Sequence, residues 1–201
     1  MTLTLENLQK SYGSLPVLDH CSFSFSSGGI YCLMGPSGSG KTTLFRILMG
    51  LEPADGGSIR FEPSSPEFSA VFQEDRLCET FSPVENLRFV LGKSVSREDI
   101  RRELSLLLPE ESLSRPVFTL SGGMKRRTAI CRAMTAHSDL IIMDEPFTGL
   151  DEDTKKLVIE YIKSRQRGRL LIVSTHQEED VELLGGELVR MERLRAVAPH
   201  S

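Results

Sequence analysis

The residues best placed to do chemistry begin with Gly35-Pro36-Ser37-Gly38-Ser39-Gly40-Lys41-Thr42, which fits the pattern G-x-x-x-x-G-K-S/T. They follow an apolar run at 30–34 and open a segment, 41–49, with the apolar spacing of a helix and Gly50 behind it. In that setting glycines let backbone N–H groups close around phosphate oxygens, and the positive end of the helix faces the same anion. Lys41 would reach the β- and γ-phosphates of a nucleotide, Thr42 would hold Mg²⁺, and Thr43 completes the expected binding set. Further along, the apolar run 140–143 ends in Asp144-Glu145. Acidic residues often end strands simply because the chain re-enters solvent. Downstream of a phosphate loop they read instead as a Mg²⁺-holding Asp144 and a water-orienting Glu145. A third piece, Leu120-Ser121-Gly122-Gly123-Met124-Lys125, puts Ser121 and the N–H groups of Gly122 and Gly123 at a helix start, where they suit a second phosphate. One nucleotide already has its cradle. A second phosphate site therefore points to a partner chain, each subunit completing the other's site.

These pieces need a scaffold, and the apolar pattern supplies one. Alternation at Leu3 and Leu5, and again at Cys21, Phe23 and Phe25, predicts early strands with a Ser-Gly turn at 26–29. Short apolar runs at 70–72, 140–143 and 170–173 have the length of strands buried in a sheet covered on both faces. Ser96-Arg97-Glu98-Asp99 resembles a capping box, followed by Ile100, Leu104, Leu107 and Leu108 at helical spacing and ended by Pro109. A second helix is expected over 122–136 with Ser121 as its N-cap, and a third over 153–165 with Leu157, Val158, Tyr161 and Ile162 on one face. Residues 81–118 hold helix and no convincing strand, so they read as a helical insertion between two halves of an α/β core.

Composition bounds the rest. A chain of 201 residues, 39% hydrophobic and 26% charged, suits one folded domain rather than a disordered segment. Its 24 basic and 28 acidic side chains leave a net charge of −4, which offers nucleic acid no global positive field. The apolar runs fall far short of the ~20 residues of a membrane-spanning helix, and the N-terminus has no basic start followed by an apolar stretch. A cytoplasmic location is the expectation. The 4 cysteines, Cys21, Cys32, Cys78 and Cys131, form no C-x-x-C pair and read as reduced side chains rather than a disulfide or zinc framework. His20, His137 and His200 lack any context that would give them a role.

In order and type these motifs resemble the ATP-binding cassette ATPases, over nearly the whole chain from Leu3 to Met191. Residues 35–42 look like the Walker A loop, Gln73 the Q-loop, 120–125 the signature motif, and 140–145 Walker B. Thr148-Gly149-Leu150-Asp151 looks like the D-loop, His176 the switch histidine, and Tyr12 the adenine-stacking aromatic. The resemblance implies an α/β fold with a P-loop NTPase core, N-terminal antiparallel β strands and a helical insertion. It implies one cassette domain over 1–201, with a helical subdomain at 81–118 continuing into the signature helix at 121–136. It further implies ATP and Mg²⁺ as cofactors, catalysis by Glu145, His176 and Gln73, metal contacts from Thr42, Gln73 and Asp144, and nucleotide contacts from Tyr12, Ser121, Gly122, Gly123 and Asp151 beside the P-loop. Two copies, expected to be identical, would close head to tail on ATP and drive a separate membrane permease from the inner face of the cell membrane.

Within that family, Val84-Glu85-Asn86-Leu87 and Met124 are similar to cassettes of the nitrate, sulfonate and taurine uptake group, so uptake with a solute-binding protein is the expectation. Glu79-Thr80 stands where that group carries Pro-Trp, which leaves the solute open. The alternatives are an exporter subunit, a soluble cassette in cofactor assembly, and a repair or translation cassette, the last disfavoured by the absence of a second cassette. Little follows the strand expected at 187–191, so no separate regulatory domain is expected there.

Overall fold

The computed structural model describes residues 1–194. His200 lies outside the described residues. Two sheets are built on different hydrophobic patterns. Strands β1 (Thr2–Tyr12), β2 (Leu15–Ser26) and β4 (Gly56–Glu62) form an antiparallel sheet in the order β2-β1-β4. Leu3, Leu5, Leu8, Cys21 and Phe25 are buried on one face of it, as period-two alternation demands. Strands β3 (Ile30–Met34), β5 (Phe68–Val71), β6 (Leu140–Asp144), β7 (Leu170–Ser174) and β8 (Glu187–Arg190) form a parallel sheet in the order β5-β6-β7-β3-β8.

Every residue of β6 and β7 is buried, because helices cover the parallel sheet on one side and the antiparallel sheet and a helix cover the other. Ile141, Met143, Leu171 and Val173 pack with α4 (Gly122–Thr135) and α5 (Glu152–Gln166). Their neighbours Leu140, Ile142, Leu170 and Ile172 pack with α1 (Lys41–Leu48) and the antiparallel sheet. The insertion contributes α2 (Pro83–Leu91) and α3 (Arg97–Leu104) to the first of these cores. After β7 come α6 (Glu178–Leu184), β8 and a short α7 (Met191–Leu194), the last described element. Among the described residues no helix is long and apolar enough to cross a membrane.

The expected P-loop core, antiparallel N-terminal strands and helical insertion are all present, with local corrections. The helix after Ser96 stops at Leu104; Leu107 and Leu108 are buried through turns whose N–H groups both bond Leu104 O at 2.9 Å. On α5 the buried face carries Ile159 and Lys155 rather than Leu157, which is 48% exposed. Lys155 is buried because Glu152 and Asp180 stand 3.1 Å and 3.4 Å from its ammonium, so charge pairing turns this face where hydropathy alone did not. Strand β4 and helix α6 were not anticipated. Cys21, Cys32 and Cys131 are buried and Cys78 is exposed. Burial pushes the Cys32 and Cys131 thiols up to about 12, so both stay protonated near neutral pH.

The insertion is pinned to α5 by one polar cluster. Glu103 of α3 accepts from Arg165 Nε at 2.6 Å and from Tyr161 Oη at 2.7 Å. Burial pushes the Glu103 carboxyl up, but these two donors outweigh it and hold the group below its usual range. Leu104, next in sequence and fully buried, anchors the same helix by packing. Leu104→Ala is expected to lower unfolding free energy by about 2–5 kcal/mol, as deletion of a buried leucine side chain does, measured by denaturant titration.

Candidate active site

Strand β3 ends at Met34, the chain turns through the glycine loop, and α1 begins at Lys41. The helix is entered through Gly40 at φ 98°, where a Cβ would stand 2.9 Å from Leu18 Cδ2 and 3.1 Å from the Val17 carbonyl. Both conformation and space thus require glycine. Lys41 is only 6% exposed, yet its Nζ donates to loop carbonyls alone, to Gly35 O at 2.7 Å and Pro36 O at 3.3 Å. Among the described residues no carboxylate pairs with it. A buried charge without a counter-ion is costly, and a phosphate group is the anion this loop is shaped to accept. The buried Ser39 Oγ also lacks a partner.

A cavity of about 330 Å³ opens in front of this loop, lined by Ser37, Gly38, Ser39, Gly40, Lys41, Thr42 and Thr43 together with Tyr12, Leu15, Val17, Gln73 and Glu145. Gly35 and Pro36 contribute the carbonyls behind Lys41 rather than the lining. Tyr12, 46% exposed, stands at the rim with its hydroxyl donating to Glu52 Oε1 at 2.5 Å. Lys10 Nζ lies 5.7 Å from its ring centroid and is itself fixed by Asp55 at 3.0 Å. The aromatic face is therefore held in position, which suits stacking on a planar base.

The two acidic residues after β6 are treated differently by the backbone. Asp144 accepts from Thr42 Oγ1 at 2.7 Å through one oxygen and from Ser174 Oγ at 2.6 Å through the other. Thr42, Gln73 and Asp144 also line one cavity of about 110 Å³, a donor set of oxygens that fits Mg²⁺. Glu145 sits at φ 49°, a left-handed conformation that costs a non-glycine residue about 1–3 kcal/mol. Its N–H donates to Ser174 Oγ at 2.8 Å, and Oε1 lies 2.8 Å from His176 Nε2. The twist thus sends adjacent carboxylates to separate tasks, one toward Thr42 and one toward His176.

His176 is positioned from behind. Thr175 N–H bonds Leu33 O at 3.2 Å, and the Thr175 hydroxyl bonds Asp180. Lys155, 3% exposed, holds both Asp180 and the Gln177 side chain, the latter at 2.8 Å. Gln73 follows β5, and its carbonyl is gripped by Arg126 at 2.7 Å.

Ser121, Gly122, Gly123 and Asp151 are not brought to this cavity within one chain. Ser121 caps α4, accepting from Met124 N–H at 3.2 Å, and Asp151 caps α5, accepting from Thr154 N–H at 2.9 Å. That backbone bond, with the Thr154 hydroxyl, holds Asp151 below the usual carboxylate range. Sequence reasoning missed Leu15, Val17, Ser174 and Arg126. Only Ser174 carried a signal, as the last residue of a strand beside His176; the others depend on register and packing.

A glycine loop between a parallel strand and a helix, with carboxylates at another strand end and an antiparallel sheet alongside, defines a nucleotide-binding cassette. The chain belongs to the ABC transporter family, whose model matches residues 18–148, and it is an ATP-binding ATPase of that family. A relative from Paraburkholderia xenovorans, "Nod factor export ATP-binding protein I", is 36% identical over 98% of this chain and 69% of its own length. The protein of the same name from Ralstonia nicotianae is 34% identical over 98% of this chain and 67% of its own. The dimeric cassette MJ0796, in a post-hydrolysis state bound to ADP and Pi, superposes with TM-score 0.82 at 25% identity, covering 94% of this chain and 93% of that one. A bacterial Atm1-family ABC exporter with ATP bound shares the fold at TM-score 0.82 and 20% identity, over 98% of this chain and 38% of that one.

Glu145→Gln keeps a hydrogen-bonding side chain beside His176 but removes a basic carboxylate. ATP affinity in a binding titration is expected to stay within about two-fold while steady-state hydrolysis falls about 10²–10⁴-fold. Gly40→Ala is expected to abolish measurable ATP binding in the same titration, since the added Cβ meets Leu18 and the Val17 carbonyl.

Proposed function

We propose that this chain, one cassette domain, is the ATP-hydrolysing subunit of a transporter, that two copies close head to tail on ATP, and that they drive a separate membrane permease. The observation that carries the reading is the buried Lys41 ammonium, which has loop carbonyls but no acid beside it. A nucleotide polyphosphate is the missing counter-charge. Bound ATP with Mg²⁺ would supply the γ-phosphoryl group, the metal drawing charge from its oxygens. Thr42 and Asp144 would hold that metal, with Gln73 beside them. The Glu145 carboxylate, turned by its left-handed backbone and braced at Oε1 by His176, would accept the proton of the attacking water.

The head-to-tail arrangement is supported by the exposed start of α4. Among the α-helices of the described residues, α1 and α4 carry no acidic residue in the first turn, whereas α2, α3, α5, α6 and α7 all do. An acid there would oppose a second anion, so its absence at Ser121-Gly122-Gly123 suits a phosphate from the partner's nucleotide. The likeness to a dimeric cassette points the same way. In such a pair Asp151, at the start of α5, would lie near the shared interface. Peripheral attachment to the inner face of the membrane follows from the permease partner.

For direction we favour export, the direction in the relatives' names. The residues that suggested uptake have a local explanation. Ser82 and Glu85 form a reciprocal capping box with Pro83 at the first helical position, Val84 and Leu87 are buried, and Asn86 bonds the backbone of Cys78 and Ser82. Val84-Glu85-Asn86-Leu87 thus has a local role at a helix start, whichever the direction of transport. Without uptake there is no reason to expect a solute-binding protein.

Mixing two inactive variants tests the composite site. Lys41→Ala alone and Ser121→Arg alone are each expected to lose hydrolysis. A heterodimer of the two retains one site with an intact P-loop and an intact partner serine, so the mixture is expected to regain measurable ATPase activity. A mixture as silent as its parts would exclude a shared site.

A further inference from the structure

We propose that Arg126 is a positioning residue that ties the Ser121 end of α4 to Gln73, so that the helix and the Gln73 loop move as one body. The inference rests on the reading above, in which Ser121-Gly122-Gly123 meets the partner's nucleotide.

Strand β5 ends at Val71, and beyond it the sheet no longer holds the chain. What holds residues 72–76 is α4. Arg126, itself buried, donates from Nη1 to Phe72 O and from Nη2 to Gln73 O, both at 2.7 Å, while its Nε lies 3.2 Å from Asp75 Oδ1. One planar guanidinium therefore hydrogen-bonds two consecutive carbonyls of the loop and stands at ion-pair distance from the Asp75 carboxylate. Arg132, on the same helix, donates to Arg76 O at 2.9 Å and Asp75 O at 3.3 Å. The Arg76 guanidinium in turn lies 3.9 Å from the centroid of the Phe72 ring. Burial pushes the Asp75 carboxyl up against the opposing pull of Arg126, so this acid depends on its cations for its charge.

Gln73 lines both the nucleotide cavity and the cavity of Thr42 and Asp144. Arg126 follows Ser121 by five residues on the same helix, about 7.5 Å along its axis at 1.5 Å per residue. A helix is stiff over that distance, so a displacement of Ser121 toward a partner's phosphate would be delivered to the Gln73 carbonyl with no flexible link between. The state of one nucleotide site would thereby set the geometry of the other. Lysine cannot substitute, because a single ammonium does not reproduce the fork by which the guanidinium bonds two consecutive carbonyls.

Two measurements test this. In the nucleotide-free protein, amide hydrogen exchange of peptides covering 72–76 is expected to rise about ten-fold in both Arg126→Met and Arg126→Lys, with peptides over 140–145 unchanged. At saturating ATP and Mg²⁺, Arg126→Lys is expected to lower kcat about ten-fold in the wild-type background but less than about two-fold in a Gln73→Ala background, with KM for ATP within about two-fold in each. If Arg126→Met does not fold, Arg126→Lys, which keeps the charge opposite Asp75, carries both measurements. Unchanged exchange, full rescue by lysine, or equal kcat losses in the two backgrounds would each overturn the role of Arg126. Those results alongside a recovering Lys41→Ala and Ser121→Arg mixture overturn the tie alone. A mixture that stays silent overturns the head-to-tail reading, and with it the link between sites.

Discussion

The site is organised around a positive charge held out of water with no acid beside it. Lys41 could have been neutralised by a neighbouring carboxylate, as Lys155 is by Asp180 and Glu152. Instead its ammonium rests on the Gly35 and Pro36 carbonyls, so the loop must curl back far enough to present them. That curl is possible because Gly38 and Gly40 take φ 79° and 98°. It also leaves the first turn of α1 free of side-chain caps and acids, with its N–H groups pointing outward. Cradle, helix start and uncompensated charge are one constraint in three forms, and each would be weaker without the others.

Around that charge the protein uses serine and threonine hydroxyls as spacers between groups that must not merge. Ser174 donates to Asp144 and accepts from the Glu145 N–H, so the last residue of β7 fixes the tip of β6 and the first residue beyond it. Thr175 makes a similar link with its backbone N–H on Leu33 O, one residue before the end of β3, and its hydroxyl on Asp180 of α6. The strand ends are thus cross-linked at their carboxyl edge, where open parallel sheets place their ligands. The strained backbone of Glu145 is tolerable because this cross-linking over-determines it.

How far the sequence could be read depended on whether the chemistry kept its residues contiguous. The phosphate loop was legible because backbone N–H groups, helix start and lysine must follow one another in the chain. Asp144 and Glu145 were legible as a pair with separate tasks, but the left-handed backbone that parts them was not, since such a φ at a glutamate leaves no trace in residue type. Ile159 was hidden behind Leu157 because a buried lysine, paired with residues on α6, shifted the face of α5. Helix α3 ended early because Leu107 and Leu108 reach the core from turns, which hydrophobic spacing cannot tell from another helical turn. Val84-Glu85-Asn86-Leu87 reads locally as a capping box and a loop-binding asparagine, so the string has a structural reason to occur apart from any substrate or direction.

The parallel sheet is a wall shared by two cores, with Ile141 and Ile142, neighbours in one strand, on opposite sides of it. Neither core can melt without exposing that wall, so the two should unfold as a single cooperative unit. Helices α2 and α3 belong to one side only: Val84, Leu87, Ile100 and Leu104 all pack in the cluster away from α1. The insertion thus rests on one core, whereas the phosphate loop is entered from β3, whose residues reach both, and leads into α1 on the other. The loop that would hold phosphate is thereby anchored through both faces of the sheet, and the insertion through one.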